Sequence, residues 1–597
     1  MATQIKRSSQ DHRNVLSRAR KVLEDQIASH VEAIVSLKGR LNNMAPASRL
    51  PPEILSEIFT FVAIDSYERR QRPQHPHIQP YQWLSVTYVC RAWREIALNT
   101  PRLWSHIVLN SSQIVPEVIS RSKKAPLWIT GTVANEGDPR LLMLDRLVED
   151  PMRIKELHLT GPERLIQQLS AKWTTPAKAL ESIMLSSDLR CFEHAAFLPL
   201  NPLSNFFSGE TPNLRRLELK RISLHWNNPL FCPSLRTLIV HSRYDPTPRL
   251  GELPQLLDAL ETMQSLETLY LNEAIPRLPD SAMHVPGPQR TVALPKLRSI
   301  TLLSDALECA NLLAHLSLPS NVRLSVTGRM ERGVEDLVKV LNNQLTRSDP
   351  LRSALLAPVF SSQIQVKAWR SPLEGDLEIP QTPEADLELH LDAIPHARTL
   401  DTLVNESTFF SKLHYLQVQC IFRNWDWKML FERTPELRTM GIICQPSERF
   451  FPALSIVSAE DTESGQPGVI PLPHLHTLEF TGVRFGCPHS DHESQFLVDL
   501  IDWLVLRCNY GVPILSLGIN QCVNIGEEDI DRLREVVPEV DWDSEENFET
   551  NIPVQAWGGD FDVDAFMDDV FPDPEDIYDD DDDYDSDDLE FWMIPFG

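Results

Sequence analysis

Apolar positions between Leu50 and Trp104 fall into two blocks, LPPEILSEIFTFVA and WLSVTYVCRAWREIALNTPRLW, with a polar stretch between them. In the first block Ile54, Leu55, Ile58, Phe59 and Val62 recur at helical intervals, and Pro51 and Pro52 stand where a helix can begin. The spacing predicts a helix with a wide apolar face. In the second block Val86, Val89, Cys90, Trp93 and Ile96 or Ala97 repeat the period, with Arg91 and Arg94 on the opposite side. The two together predict a helical hairpin with excess apolar surface, too short to be a self-sufficient domain and suited to docking rather than catalysis.

Taken in order, LPPEIL (Leu50 to Leu55), VCRAW (Val89 to Trp93) and IALNTPRLW (Ile96 to Trp104) resemble the F-box in the form common in mushroom-type fungi. The resemblance covers about a tenth of the chain. It implies docking to the Skp-type adaptor of a cullin-RING ubiquitin ligase, with Leu50, Pro51, Ile54, Leu55, Val89, Cys90 and Trp93 as the adaptor-binding residues. This chain departs from a compact F-box at residues 65 to 82 (DSYERRQRPQHPHIQPYQ), whose Pro, His and Arg content predicts an exposed loop. A competing reading makes the segment an ordinary helical pair at the edge of a larger domain. Trp93 is buried in both readings; they differ in whether Leu50, Pro51 and Ile54 stay exposed until a partner covers them.

Ahead of this segment, Val15, Leu16, Leu23, Ile27, Val31, Ile34, Leu37 and Leu41 lie among charges, predicting an amphipathic helix over 14 to 43. With heptad order broken at Glu24 and Lys38, packing on its own F-box or partial exposure is favoured over a coiled-coil dimer.

From about residue 150 the period changes to alternation. A short L-x-x-L-x-L pattern returns as IKELHL at Ile154, ALESIML at Ala179, LRRLEL at Leu214, LRTLIV at Leu235, LETLYL at Leu266 and LRSITL at Leu297. It returns again as LHYLQV at Leu413, LRTMGI at Leu437, LHTLEF at Leu475 and ILSLGI at Ile514. Each copy predicts a short strand with one buried face, and prolines at 212, 233, 295, 435 and 473 mark strand entrances. Helical stretches such as 253 to 263, 306 to 316, 334 to 345, 496 to 508 and 527 to 537 lie between copies.

Spacings of 21 to 34 residues in the first series bracket the leucine-rich-repeat period, where each strand-helix unit covers its apolar face by stacking on the next. The usual ladder asparagine does not recur: Lys220, His241 and Leu303 follow three of the runs, and Asn272 follows one. NVRLSV (321 to 326) and DLELHL (386 to 391) read as poorly formed copies. The predicted fold class is α/β: an N-terminal amphipathic helix (1–45), a helical F-box-like domain (46–110), an irregular leucine-rich-repeat solenoid (111–540) and a disordered acidic tail (541–597). A doubly wound α/β domain uses the same alternation, but Gly is scarce at 21 residues and no GxGxxG opens a helix.

Charge refines this division. The net charge of −28 resides mostly in residues 541 to 597, which hold 22 Asp or Glu and no Lys or Arg; the first 540 residues carry 62 acidic against 56 basic, or −6. A nucleic-acid role therefore has no electrostatic footprint in the body of the chain. The tail also carries 11 aromatics, Trp542 among them, and reads as an interaction segment. Asp579 to Glu590 has acidic residues at EF-hand ligand spacing, but Tyr584 stands where the loop needs glycine, so specific calcium binding is not expected.

No apolar run is long enough to span a bilayer and MATQIKRSSQDHR lacks a signal-peptide core, so the expected location is cytoplasmic or nuclear, not secreted and with no membrane partner. Nine cysteines without a CxxC predict reduced thiols, and Cys487, His489 and His492 supply too few ligands for a zinc site. GxSxG, GxxxxGK[ST] and HExxH are all missing. The expectation is no enzyme, no metal and no cofactor, but a substrate receptor that holds the adaptor through its F-box and an unknown target protein through its repeats. A non-ligase repeat scaffold is the alternative, and an α/β enzyme with an unrecognised site stands behind both.

Overall fold

The computed structural model describes residues 2–70, 81–109, 114–187, 206–222, 224–242, 252–329, 332–359, 363–372, 383–392, 396–419, 426–455, 470–486 and 494–546. The chain divides into two units, Met1–Gly251 with Asp258–Leu266, and Glu252–Leu257 with Glu267–Gly597.

The first unit begins with helix α1 (Ala2–Met44), which starts well before the predicted 14 to 43. A 3-10 turn (Pro46–Arg49) leads into α2 (Pro52–Arg70), a second 3-10 helix spans Gln82–Tyr88, and α3 covers Arg91–Leu98. The chain then becomes a parallel sheet: β1 (His106–Leu109), β2 (Leu127–Thr132), β3 (Ile154–Thr160), β4 (Ser182–Ser186), β5 (Arg216–Lys220) and β6 (Thr237–His241), each paired with the next in chain order. Helix α4 (Val115–Ser122) crosses from β1 to β2.

Register explains the repeat. Leu157, Ile183, Leu217 and Leu238 align across β3 to β6, as do Leu159, Leu185, Leu219 and Val240, and all are buried. Side chains alternate across a strand, so the opposite face takes the intervening polar positions: Glu156, Ser182, Arg216 and Thr237 form one row, Thr160, Ser186, Lys220 and His241 another.

In the second unit β7 (Thr268–Asn272) pairs with β9 (Ser299–Asp305) and β9 with β11 (Arg323–Arg329), all parallel; β8 (Val292–Ala293) and β10 (Leu316–Ser317) form a small pair of their own. Sequential stacking then breaks. The strands β12 (Ser353–Val359), β13 (Gln363–Trp369) and β14 (Leu387–Asp392) enter so that β14 lies parallel on β11, β13 runs antiparallel between β14 and β12, and β12 pairs parallel with β15 (Tyr415–Gln419). Beyond it β16 (Thr439–Ile443), β17 (Thr477–Thr481), β18 (Ser516–Asn520) and β19 (Glu539–Trp542) resume the parallel order.

Three expectations are corrected here. NVRLSV and DLELHL are not poor copies: they lie in β11 and β14, whose Leu324, Val326, Leu387 and Leu389 are buried in register. The hairpin of β12 and β13 was not foreseen, because its alternation lacks the L-x-x-L-x-L spacing. Strand β19 crosses the boundary drawn at 540, and Trp542 pairs with Ile519 instead of belonging to a tail. The rest of the acidic segment, from 547, lies outside the described residues, as do Cys487, His489 and His492.

Two local devices recur at the strand ends. At the entrances the leucine amide closes a turn onto the residue before the proline: Leu214 onto Thr211 (3.1 Å), Leu235 onto Cys232 (3.2 Å), Leu297 onto Leu294 (3.2 Å), Leu437 onto Thr434 (3.2 Å) and Leu475 onto Leu472 (3.1 Å). Proline thus occupies the second turn position, which its fixed φ favours. At the exits Arg221, Glu273, Cys444, Gly482 and Gln521 take φ between +51° and +64°. The first four donate their amides to a carbonyl of the neighbouring strand, His241, Leu303, Thr481 and Asn520 in turn, at 2.7 to 3.0 Å. Only one of the five is glycine.

Among the described residues no helix is long and apolar enough to cross a membrane, and six cysteines, including buried Cys309 and Cys522, are unpaired.

Candidate functional site

Helix α2 is apolar on two sides. Leu55, Phe59, Ala63 and Tyr67, spaced four apart, are buried. Phe59 meets Trp93 of α3 at 4.9 Å between ring centroids, and the Tyr67 hydroxyl hydrogen-bonds Thr130 Oγ1 in β2 at 2.5 Å. A second row, Ile54, Ile58 and Phe61 with Val62 beside it, is exposed, up to 67% at Phe61. One helix of this length needs one apolar stripe to attach to its own core. The second row is surplus.

Pro52 is the first helical residue, and the Pro51 carbonyl accepts from Ile54 and Leu55 N–H, both at 3.1 Å. Leu50 and Pro51 stay exposed ahead of it. The second block is not one helix, as its period predicted. Cys90 is fully extended (φ −159°, ψ 170°), and its Sγ accepts from Trp93 N–H at 3.5 Å, so it caps α3 and separates it from the 3-10 helix. The β-branched run of Val86, Thr87 and Val89 disfavours a continuous α-helix. Trp83 packs edge-on to Trp104 at 5.0 Å, and the Trp104 indole donates to the Ala97 carbonyl at 2.8 Å. At the junction Tyr88 and Val89 are left exposed.

The residues singled out by sequence therefore separate. Leu50, Pro51, Ile54 and Val89 are exposed, Cys90 and Trp93 are half-buried, and Leu55 is 4% exposed and belongs to the core. Phe61 and Tyr88 were missed. Phe61 could have been found, since Ile54, Ile58 and Phe61 make a helical series of their own beside the buried one.

The expected loop over 65 to 82 is corrected at both ends. Helix α2 continues to Arg70, and Tyr81 is buried with its hydroxyl on the backbone of Val108; residues 71 to 80 lie outside the described residues. Nor does the helical segment end cleanly at 110, since its last residues form β1 of the sheet.

Across the first sheet, the polar face holds one buried ionic group. Glu218 is 3% exposed and paired with Arg216 (2.7 Å) and Lys220 (2.8 Å). Burial pushes its carboxyl upward, but the hydrogen bonds from Lys220 and Arg216 prevail and hold it below the usual range. Two strands away on the same face, burial holds His158 below the usual imidazole range. These groups structure the face, where His158 Nε2 also lies 3.5 Å from Ser182 Oγ.

Residues 47–110 match the F-box-like family. The match spans α2, α3 and β1, and so contains both the buried and the exposed rows of α2. A comparison with curated proteins gives no match.

Proposed function

We propose that this chain is a substrate-receptor subunit of a Skp, cullin and F-box ubiquitin ligase, docking the adaptor through the F-box-like segment and a target protein through the strand-helix repeats. The observation that carries the reading is the surplus apolar row Ile54, Ile58, Phe61 and Val62 on α2, inside the segment that matches the F-box-like family. Exposed apolar side chains clustered on a rigid helix are the usual core of a protein-binding patch. Leu50, Pro51, Tyr88 and Val89 extend the apolar surface on either side in sequence.

In this reading the chain performs no reaction itself. It holds a target near a catalytic subunit and turns a bimolecular encounter into a local transfer. The alternation along the strands suits capture of the target, because one face is committed to the core and the other is free to vary in polar chemistry.

The test is capture of a recombinant Skp-type adaptor by the full chain. Replacing Leu50 and Pro51 by Ala, or Ile58 and Phe61 by Asp, is expected to reduce capture by about tenfold or more. Because these side chains are exposed, circular dichroism and urea unfolding should not change. Undiminished capture by both variants, or no capture by the parent chain, rejects the docking surface.

A further inference from the structure

Helix α1 is 43 residues long, and among the described elements its substantial packing is confined to the short turn Pro46–Arg49. Its apolar residues are uncovered: Val22 and Val31 are more than half exposed, and Leu23, Ile27, Ile34, Leu37, Leu41 and Met44 are between 51% and 72% exposed. With His30 the latter six follow each other at intervals of four and three, from Leu23 through Ile27, His30, Ile34, Leu37 and Leu41 to Met44. That is an unbroken heptad seam, with Ile27, Ile34 and Leu41 at a and Leu23, His30, Leu37 and Met44 at d. Glu24 and Lys38 do not interrupt it; they occupy e positions, where charge flanks a seam.

We propose that α1 pairs with α1 of a second copy of this chain as a parallel, in-register, two-stranded coiled coil. Three features select this occupant. A strict 4-3 stripe is narrower than the face a helix uses to lie on a globular body, and it fits the knobs-into-holes packing of another such stripe. Isoleucine at the inner a positions with leucine at d favours two parallel strands. His30 then fixes the register: only in the in-register parallel pair does each His30 meet its own counterpart, where two imidazoles can share a hydrogen bond, while a shift within the seam buries it against Ile, Leu or Met without an imidazole partner. The seam runs for about 33 Å from Leu23 to Met44, three heptads. The flanking residues carry both signs of charge, unlike a basic helix built for an anionic membrane surface. The pair would present two adaptor sites and two target surfaces, going beyond the single-chain docking reading above and independent of it.

Sedimentation equilibrium of the full chain, from sub-micromolar to tens of micromolar, tests the proposal. The parent chain is expected at twice its 68.1 kDa mass. A double variant, Ile27→Asp and Ile34→Asp, should sediment as a monomer, its dimer weakened on the order of 100-fold or more, with its far-ultraviolet spectrum otherwise kept. Under mild oxidation Leu41→Cys should give a disulfide joining the two introduced thiols, located by peptide mass spectrometry against the parent chain. A monomeric parent chain, a dimer that survives the double variant, or introduced thiols that link only to other positions would each overturn the proposal.

Discussion

The Tyr81 hydroxyl meets both backbone groups of Val108, accepting from its amide at 3.0 Å and donating to its carbonyl at 3.2 Å. In a parallel ladder alternate residues turn toward the partner strand. Ser105 carbonyl accepts from Trp128 of β2 at 3.0 Å, so Val108, three residues on, faces the other way. Tyr81 therefore occupies the open edge of β1 as a neighbouring strand would, and joins the helical segment to the sheet. Replacing Tyr81 by Phe keeps the ring but leaves a buried donor and acceptor without this partner. The expected cost is about 1–3 kcal/mol in urea unfolding, with faster hydrogen exchange at the Val108 amide. Unchanged exchange there would show that the hydroxyl does not hold the edge.

His106 stacks on Trp128 at 4.8 Å with the rings 15° apart, because the β1–β2 register sets the two opposite each other. Tyr67 closes the other contact at 4.8 Å. Burial first, and the charge of Arg102 second, lower the imidazole to about 4. The neutral ring is the one the fold accepts. The unfolded chain takes up the proton below about 6.5 and the folded chain does not until about 4, so stability is full above the upper value and falls as pH drops between them. The loss approaches about 3 kcal/mol by pH 4. His158 and His241 are lowered in the same direction, so the measurement is a difference: urea midpoints of the parent chain and of His106→Phe from pH 7 to pH 4. The variant should lose less stability on acidification; parallel profiles would reject the assignment.

Local rules made the strands readable and long-range ones stayed hidden. The alternation in LRRLEL and LETLYL is enough to place Leu217 and Leu269 in the core, because side-chain period and burial are the same fact in a one-sided strand. The helix from Pro52 is likewise written in its spacing. Its two-sidedness was only half legible: Leu55 and Ile54 look alike in sequence, and which one faces inward depends on where Trp93 and β1 lie. Tyr81 gave no signal, since its partner is 27 residues away and its surroundings are polar. The β13 strand reverses the sheet for a reason that no short-range period contains.

The left-handed strand exits give a third prediction. Gln521 leaves β18 with φ +52° and an exposed side chain, and its amide donates to the Asp543 carboxylate. A residue with a Cβ pays about 1–2 kcal/mol for this backbone, while glycine avoids that strain but loses about 0.5–1 kcal/mol of chain entropy. Gln521→Gly should therefore stabilise by roughly 0.5 kcal/mol, and Gln521→Val should destabilise by more than about 1 kcal/mol, since β-branching suits this region least. Chemical denaturation of the two variants decides it, and a glycine variant less stable than valine would mean that the exit is not held left-handed.

Arg507 lies within the helix Gln495–Asn509, is only 1% exposed, and points its guanidinium at the turn that opens β17. Nη1 donates to the Pro471 carbonyl at 3.1 Å, and Nη2 to Leu472 at 3.1 Å and Leu475 at 2.9 Å. Trp503 receives the cation over its ring at 5.2 Å. Burial lowers the side chain to about 10, which leaves it charged at neutral pH. A planar fork can serve three carbonyls from one side, and a lysine ammonium cannot reproduce that geometry. Arg507→Met keeps the aliphatic bulk and removes the donors, so the expected loss is on the order of 3 kcal/mol, with Arg507→Lys recovering only part of it. Urea unfolding with hydrogen exchange over 471 to 481 separates the alternatives: a lysine variant as stable as the parent would show that charge alone suffices, and the three-carbonyl geometry would then not be what holds the turn.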